Sequence, residues 1–287
     1  MVSTDTTLRD LVGRYLTEQC EVILAAPPRL AEREPVVHST RVAVRRLRST
    51  LRVFDDLFDV PRAARLEEEL VWWASLLGEL RDLEIMAARL EAAIGDLPPE
   101  LVVGPVSAAL DREIAVRRKA AWERLAEAMA GERFAALLAD VQRWRDAPAF
   151  TELADRPAGK VKGYVKRADR KVAKRLAATG RAYAEGDPGA ADLAHRARKA
   201  AKRHRYAVEL AEPVWRGKAE AIVARRKDLQ DVLGGHQDAV VCAAFLREVG
   251  IAIGDRRGHN GFTYGLLYAQ QVHEEAQLPQ RLAPFLP

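Results

Sequence analysis

The sequence has little of several features that mark common classes of protein. Only two of its 287 residues are cysteines, Cys20 and Cys242, and they lie far apart. This excludes a disulfide-stabilised scaffold or a CxxC metal or redox motif and favours a reducing compartment. No stretch approaches the roughly 18 apolar residues of a membrane-spanning helix, and the first residues do not resemble a secretory signal. We therefore expect a cytoplasmic protein that does not enter a membrane.

Residues that favour β-strands are also scarce. Thr, Ile, Tyr and Phe are few, whereas Ala, Leu, Arg, Glu and Val dominate, a composition typical of helices. With 48% hydrophobic residues the chain can bury a core. Proline and glycine clusters interrupt the helical periodicity at 26–28, 97–99, 147–148, 156–159, 186–189 and, more weakly, 254–258. The sequence predicts an all-α protein with helices near 5–25, 36–58, 62–94, 100–130, 132–146, 160–184, 190–211, 216–249 and 260–277.

Charge is distributed unevenly along the chain. The formal net charge is +5, but residues 156–205 hold 16 Lys or Arg against four acidic residues, a local net charge of +12. Residues 55–100 hold 12 acidic residues against four Arg, a local net charge of −8. A charged run is usually a solvated helix face. So large a local excess of cations favours a surface that binds an anion.

One motif occurs twice. His38–Arg48 (HSTRVAVRRLR) aligns at an offset of 157 with His195–Arg205 (HRARKAAKRHR), and five of the eleven positions are identical. A second pair, Leu76–Asp82 and Val232–Asp238, follows in the same order at an offset of 156. Two ordered pairs at nearly one spacing indicate an internal duplication.

The duplication predicts the architecture. We expect two helical halves, about 8–150 and 157–280, related by a pseudo-two-fold axis, with 281–287 as a C-terminal tail. Asp82 and Asp238 occupy equivalent positions in the two halves. They either orient arginines of the repeated helices or serve as simple helix caps or interhelical ion pairs. The tryptophans are expected to be packing anchors: Trp72, Trp73, Trp122, Trp144 and Trp215.

The first copy of the motif places its cations on one face of a helix. At about 100° per residue, five residues share a sector of about 80°: His38, Arg41, Arg45, Arg48 and Arg52. Leu47, Leu51 and Phe54 fall on the opposite side and are predicted to enter the core. Like charges one turn apart repel each other, and no acidic residue between 38 and 54 relieves this repulsion. An extended anion is the natural counter-charge.

The second half is more basic than the first. Its motif forms a similar stripe of four residues: His195, Arg198, Lys202 and Arg205. Arg203, like Arg46 in the first copy, lies to one side of the stripe. A further stripe recurs every fourth residue in the preceding helix: Lys162, Lys166, Arg170 and Lys174. The corresponding helix of the first half is much less basic, so we expect the second half to carry more of the binding.

These strings resemble the CHAD family, the conserved histidine α-helical domain. The resemblance rests on Val37–Arg48, His195–Tyr206, Leu77–Asp82 and Leu229–Asp238, and it covers roughly residues 8–280. It implies two four-helix bundles and a basic surface that binds inorganic polyphosphate. The motif residues it carries over are His38, Arg41, Arg45, Arg46, Arg48, His195, Arg198, Lys202, Arg203 and Arg205. The second copy departs from the first at His204, aligned with Leu47, and at Glu209, aligned with Arg52.

The chemistry of the residues agrees with this implication. Polyphosphate has no bases, so its receptor needs dense positive charge and hydrogen-bond donors but no stacking platform. Arginine binds phosphate oxygens bidentately and lysine adds a point charge. No aromatic residue is interleaved among the charges of either stripe, and Tyr206 only follows the second. We predict a non-catalytic binding or targeting module without cofactor or metal, which binds long-chain polyphosphate through a basic channel lined by the stripes of the two repeated helices. We further expect association with polyphosphate granules or polyphosphate-metabolising enzymes.

Two other functions stay open at this point. One is a phosphohydrolase or phosphotransferase acting on polyphosphate or a triphosphate, but such chemistry needs carboxylates near the phosphate to hold a metal. The stripe from Arg41 to Arg52 has none, and the chain has no P-loop string. The other is a nucleic-acid binder that contacts only the backbone. His38 and His195 either bond to a neighbouring helix or donate to phosphate; the cations around them make zinc ligation unfavourable.

Overall fold

The computed structural model describes residues 6–215, 217–254 and 260–286. These residues form ten α-helices and no β-strand: α1 (Leu8–Ala31), α2 (Val37–Val53), α3 (Val60–Gly95), α4 (Val106–Ala130), α5 (Glu132–Asp146), α6 (Val161–Ala184), α7 (Ala190–Trp215), α8 (Lys218–Gly254), α9 (Phe262–Ala276) and α10 (Leu278–Leu282). The all-α class and the nine predicted helical segments are confirmed. The weak break expected at 254–258 lies, from 255 onward, outside the described residues.

The predicted interruption at 26–28 is wrong. Helix α1 continues through Pro27 and Pro28 to Ala31. The prolines remove two backbone donors, but Ala26 and Leu30 on either side are buried in the core and hold this last part of the helix in place. The helix ends at Ala31, and Arg33, two residues further on, has a φ of 58°.

The helices surround three hydrophobic cores. The largest is built mainly from α1, α2, α3 and α5 and receives the start of α6 and the end of α7. A second contains residues of α6, α7, α8 and α10, and a third joins α3 and α4 of the first half to α8 and α9 of the second. Helices α3 and α8, with 36 and 37 residues, are each about 55 Å long at 1.5 Å per residue. Both therefore contribute to more than one core, and the two halves are fused along them.

Helix α2 shows how the sequence positions its charged face. Leu47, Leu51 and Phe54 are buried, as the periodicity predicts. This fixes the rotation of α2 about its axis and turns the arginine stripe away from the first core. The stripe faces α7, which packs against α2 across the two halves.

Residues 281–286 are part of the fold, contrary to the expectation that 281–287 is a tail; residue 287 lies outside the described residues. Leu282 is buried in the core with α6, α7 and α8, and Phe285 and Leu286 pack against that core. Burial of these apolar side chains away from water stabilises their packing against the core. Trp73 and Trp144 are buried, and Trp72, Trp122 and Trp215 pack against the largest core, so all five tryptophans are packing residues.

Candidate functional site

A cavity of about 410 Å³ lies between α2 and α7. From α2 it is lined by Arg41, Arg45, Arg48, Ser49 and Arg52. From α7 it is lined by His195, Arg198, Lys199, Lys202, Arg203 and Tyr206. Most of the two predicted stripes thus face each other across one cavity.

Two smaller cavities extend the first at its ends. One, of about 160 Å³, shares Arg41, His195 and Arg198 with it and adds residues of α3 and α8, including Asp82 and Asp238. The other, of about 70 Å³, shares Arg52 and Arg203 and adds three cations of α6: Arg167, Lys171 and Arg175. Because the walls are shared, we treat the three cavities as one feature, the basic groove.

The cations at the centre of the basic groove lack sufficient counter-charge. Burial, together with Arg198, Arg45 and Arg41, lowers the pKa of Lys202 to about 6. Burial and neighbouring Arg52 and Arg175 lower the pKa of Arg203 to about 10. Both shifts have the same cause, since burial and like charges destabilise an ionised cation.

Several arginines of the groove also have hydrogen-bond donors without a partner. The Nε atoms of Arg45, Arg48 and Arg198 are buried without a hydrogen-bond partner. Burial is also the first cause that lowers the pKa of each of these guanidinium groups. An unsatisfied buried donor costs about 1–3 kcal/mol. A bound anion that reaches into the groove would recover this cost.

Carboxylates flank the groove, each beside an arginine. Asp82 accepts a hydrogen bond from Arg41 Nη1 at 2.8 Å, and Asp238 Oδ1 lies 4.0 Å from Arg198 Nη2. At the other end, Glu67 forms ion pairs with Arg52 and, at 3.8 Å, with Arg48. Asp82 and Asp238 thus form ion pairs between helices with arginines of the repeated motif, which is compatible with both interpretations, an orienting role and a simple interhelical ion pair.

Two glycines make room for the same two arginines. A Cβ atom on Gly78 would lie 3.4 Å from Arg41 Nη2, and one on Gly234 would lie 3.3 Å from Arg198 Nη2. The two halves therefore use equivalent residues for equivalent contacts: arginine on one helix, glycine on the next, and aspartate one turn further on. The overall pseudo-two-fold relation between the halves stays a prediction.

The two motif histidines differ in their surroundings. His195 lines the groove, and its Nδ1–H donates to Gln237 Oε1 on α8 at 2.8 Å. Burial, and then the charge of Lys199, lowers the pKa of His195 below its usual value. His38 is exposed and is not among the residues that line the groove, although burial and Arg81 lower its pKa.

Two motif arginines do not line the groove. Glu209 on α7 accepts hydrogen bonds from Arg46 Nε and Nη2, at 3.2 and 2.9 Å, and lies 3.7 Å from Arg205 Nη1. Both guanidinium groups also lie over the ring of buried Tyr206. Glu209 therefore does more than shorten the second stripe, because it holds Arg46 and Arg205 together where α2 packs against α7.

The stripe predicted on α6 lies on other faces of that helix. Lys166 lines a separate cavity, and Arg170 and Lys174 are exposed outside the groove. The groove instead receives Arg167, Lys171 and Arg175, which the sequence reasoning missed together with Lys199. The missed α6 stripe has the same four-residue spacing. It could have been chosen because Lys171 and Arg175 flank the apolar positions Val161, Val165, Ala168 and Val172, whereas Arg170 and Lys174 lie opposite them.

Other kinds of site find little support in the described part of the chain. Across residues 6–215, 217–254 and 260–286, no three His, Cys, Asp or Glu side chains converge as metal ligands. Within the same residues, no helix is long and apolar enough to cross a membrane. Cys20 and Cys242 are buried free thiols, and burial raises their pKa to about 12 and about 11.

Comparison with known proteins decides the family. The CHAD domain profile matches residues 14–247. The chain belongs to the CHAD domain family. The matched range contains both histidine motifs and the basic groove between them, so the resemblance inferred from the sequence is confirmed.

Relatives extend the comparison. The chain is 31% identical over 273 residues to two Mycobacterium tuberculosis proteins, MT2285 (strain CDC 1551) and Rv2226 (strain H37Rv). The matches cover 95% of this chain and 51% of each relative, so the CHAD chain spans about half the length of these relatives.

Two solved structures share the fold. The CHAD domain from the plant Ricinus communis superimposes with a TM-score of 0.72 at 25% identity, covering 98% of this chain and 92% of that one. PptA from Streptomyces chartreusis superimposes with a TM-score of 0.80 at 22% identity, covering 97% and 99%. This agreement confirms the all-helical CHAD fold.

Proposed function

We propose that the basic groove binds inorganic polyphosphate and that the chain is a binding or targeting module rather than an enzyme. The observation that carries this proposal is the set of crowded cations at the centre of the groove. Lys202, whose pKa is lowered to about 6, lies among arginines with unpartnered buried Nε atoms. A polyanion supplies many phosphate oxygens to such a site at once.

The lining of the groove favours polyphosphate over single-stranded nucleic acid. Base-binding grooves offer exposed aromatic rings for stacking. The aromatic residue in the central cavity, Tyr206, is only 1% exposed and lies beneath Arg46 and Arg205. Its face is therefore not available to a base.

The length of the groove predicts a dependence on chain length. A long polyphosphate contacts the cations of α2, α7 and α6 together, and each further contact is intramolecular once the first has formed. We expect long-chain polyphosphate to bind at least about 100-fold more tightly than tri- or tetraphosphate. Titrations with polyphosphates of defined length, with single-stranded and duplex DNA as competitors, measure this. Equal affinity for short and long chains, or more effective competition by DNA of equal charge, would contradict the proposal.

We also expect no catalysis by the chain alone. The carboxylates beside the groove, Asp82, Asp238 and Glu67, each lie against an arginine, and phosphoryl transfer generally needs such groups for metal ions. Incubation with long-chain polyphosphate and Mg²⁺ should leave the chain-length distribution unchanged on a gel. Release of orthophosphate that disappears in Arg45→Ala would assign an enzymatic function instead.

Gly234 offers a test that separates binding from stability. Replacing Gly234 by alanine should add up to about 1 kcal/mol of helix stability. The new Cβ would lie 3.3 Å from Arg198 Nη2, so the guanidinium must shift and polyphosphate affinity should fall by about two- to fivefold. Gly235→Ala is the matched control, because a Cβ there meets nothing within 4 Å. Thermal melts and polyphosphate titrations should show stabilisation by both variants but weaker binding only for Gly234→Ala.

A module of this kind would concentrate wherever the polymer is stored. We therefore extend the proposal to a cytoplasmic location at polyphosphate granules and to association with enzymes that make or degrade polyphosphate. Imaging of a tagged chain, compared with a variant of the groove arginines, tests whether such localisation depends on the groove.

A further inference from the structure

The separate cavity that Lys166 lines has a volume of about 700 Å³ and lies on the other side of α7 from the basic groove. Its walls come from α6, α7, the start of α8 and the C-terminal residues. At about 100° per residue, His204 in its wall lies opposite His195 on α7. The volume is within the range of small-molecule sites, about 300–1,000 Å³.

The wall of this cavity is largely apolar and well defined. It includes Val165, Leu176, Trp215, Ile222, Phe285 and Leu286. A Cβ atom on Gly180 would lie 3.0 Å from Leu286 Cδ1, so the surface of α6 is shaped to receive this C-terminal side chain. Apolar walls with a few fixed polar groups are typical of sites for organic ligands.

The polar groups of the cavity converge at one place. Arg226 Nε donates to His204 Nδ1 at 3.0 Å, and Arg226 also bonds to Asp169. His204 is 2% exposed and occupies the position of Leu47 in the first half, which is fully buried core. Burial and the charge of Arg226 lower the pKa of His204 to about 4, so the ring is neutral at pH 7.

The charge of the lining is positive. Lys166, Arg225 and Arg226 face a single carboxylate, Asp169, which gives a net charge of +2 with neutral His204 (3 − 1). An apolar wall beside excess cations suits a ligand that combines an apolar body with an acidic group. Polyphosphate, which has no apolar body, gains nothing from this wall.

We propose that this cavity binds an amphipathic organic anion, a molecule with an apolar or aromatic body and a carboxylate, sulfonate or phosphate head. The body would lie against Trp215, Ile222 and Leu286, and the head would face Arg225 and Arg226. The proposal is independent of polyphosphate binding, because the two sites lie on opposite sides of α7.

The test titrates 1-anilinonaphthalene-8-sulfonate, an aromatic anion whose fluorescence rises in apolar sites, without and with an excess of long-chain polyphosphate. Ala221 lines the cavity and Ala224, three residues further along α8, does not; both are exposed. We expect Ala221→Trp to weaken binding of the probe at least about tenfold by filling the cavity, and Ala224→Trp to change it less than about twofold.

A second variant tests the acidic head. Arg225→Gln, at an exposed position, should lower the affinity for the sulfonate probe by about five- to tenfold. The affinity of this variant for the uncharged analogue N-phenyl-1-naphthylamine should stay within about twofold of that of the unmutated chain. Absence of saturable binding, equal effects of both tryptophan variants, or displacement of the probe by polyphosphate would each overturn the proposal. The last result would place the probe in the basic groove, and the first two do not depend on whether polyphosphate binding itself is found.

Discussion

Replacing Arg41, Arg45 and Arg48 together by glutamine should lower the affinity for long-chain polyphosphate by about 100- to 1,000-fold at low salt. All three side chains line the central cavity, and the Nε atoms of Arg45 and Arg48 are buried without a partner. With each lost phosphate contact, fewer condensed counterions are released when polyphosphate binds. The slope of log affinity against log salt should therefore become shallower by about 2.

The matched control removes the same charge elsewhere. Arg62, Arg118 and Arg247 are exposed and do not line the groove, so their triple replacement by glutamine changes net charge equally. Titrations at four or more salt concentrations should give a nearly unchanged slope for this control. If both triple variants flatten the slope alike, binding follows overall charge and the groove has no special role. Circular dichroism melts confirm that each variant is folded.

The charged face of α2 could be predicted from sequence because its cations and its apolar core residues lie on one regular helix. Its cations and its core residues alternate with the same period, so the position of buried Leu47 and Leu51 determines where Arg41, Arg45 and Arg48 point. The repeat at His195 then identified α7 as the facing helix. The family resemblance rests on these two segments and on Leu77–Asp82 and Leu229–Asp238, and the all-α prediction rests on the composition and periodicity of the whole chain.

Other parts of the site depend on contacts that helical periodicity does not contain. Arg46 matches the motif as well as Arg48 does, but it is held by Glu209, 163 residues away. Helix α6 carries two basic stripes of equal spacing. Its apolar positions favour the stripe that contains Arg175, but the packing of α6 against α7 is what brings Arg175 to the groove. The prolines of α1 misled the prediction because tertiary burial of Leu30 outweighs a local preference.

Lys202 should make polyphosphate binding dependent on pH. Burial and neighbouring arginines lower its pKa to about 6 in the free protein, so above that pH the free side chain is mostly neutral. A bound anion favours the ammonium form and raises the pKa, and binding therefore takes up a proton. Affinity should be highest below pH 6 and fall as pH rises towards the pKa of the bound state. We expect a loss of about 10- to 100-fold between pH 6 and pH 8.

Two substitutions assign this dependence to Lys202. Lys202→Met removes the titrating group, so the difference between the unmutated chain and the variant should be largest at pH 6 and shrink towards pH 8. Lys171→Met, at an exposed lysine of the same groove, is the matched control and should weaken binding without the pH profile expected of Lys202. Calorimetric titration in buffers of different ionisation enthalpy measures the proton taken up on binding. A profile for Lys202→Met that runs parallel to that of the unmutated chain would assign the pH dependence to other groups, such as His195.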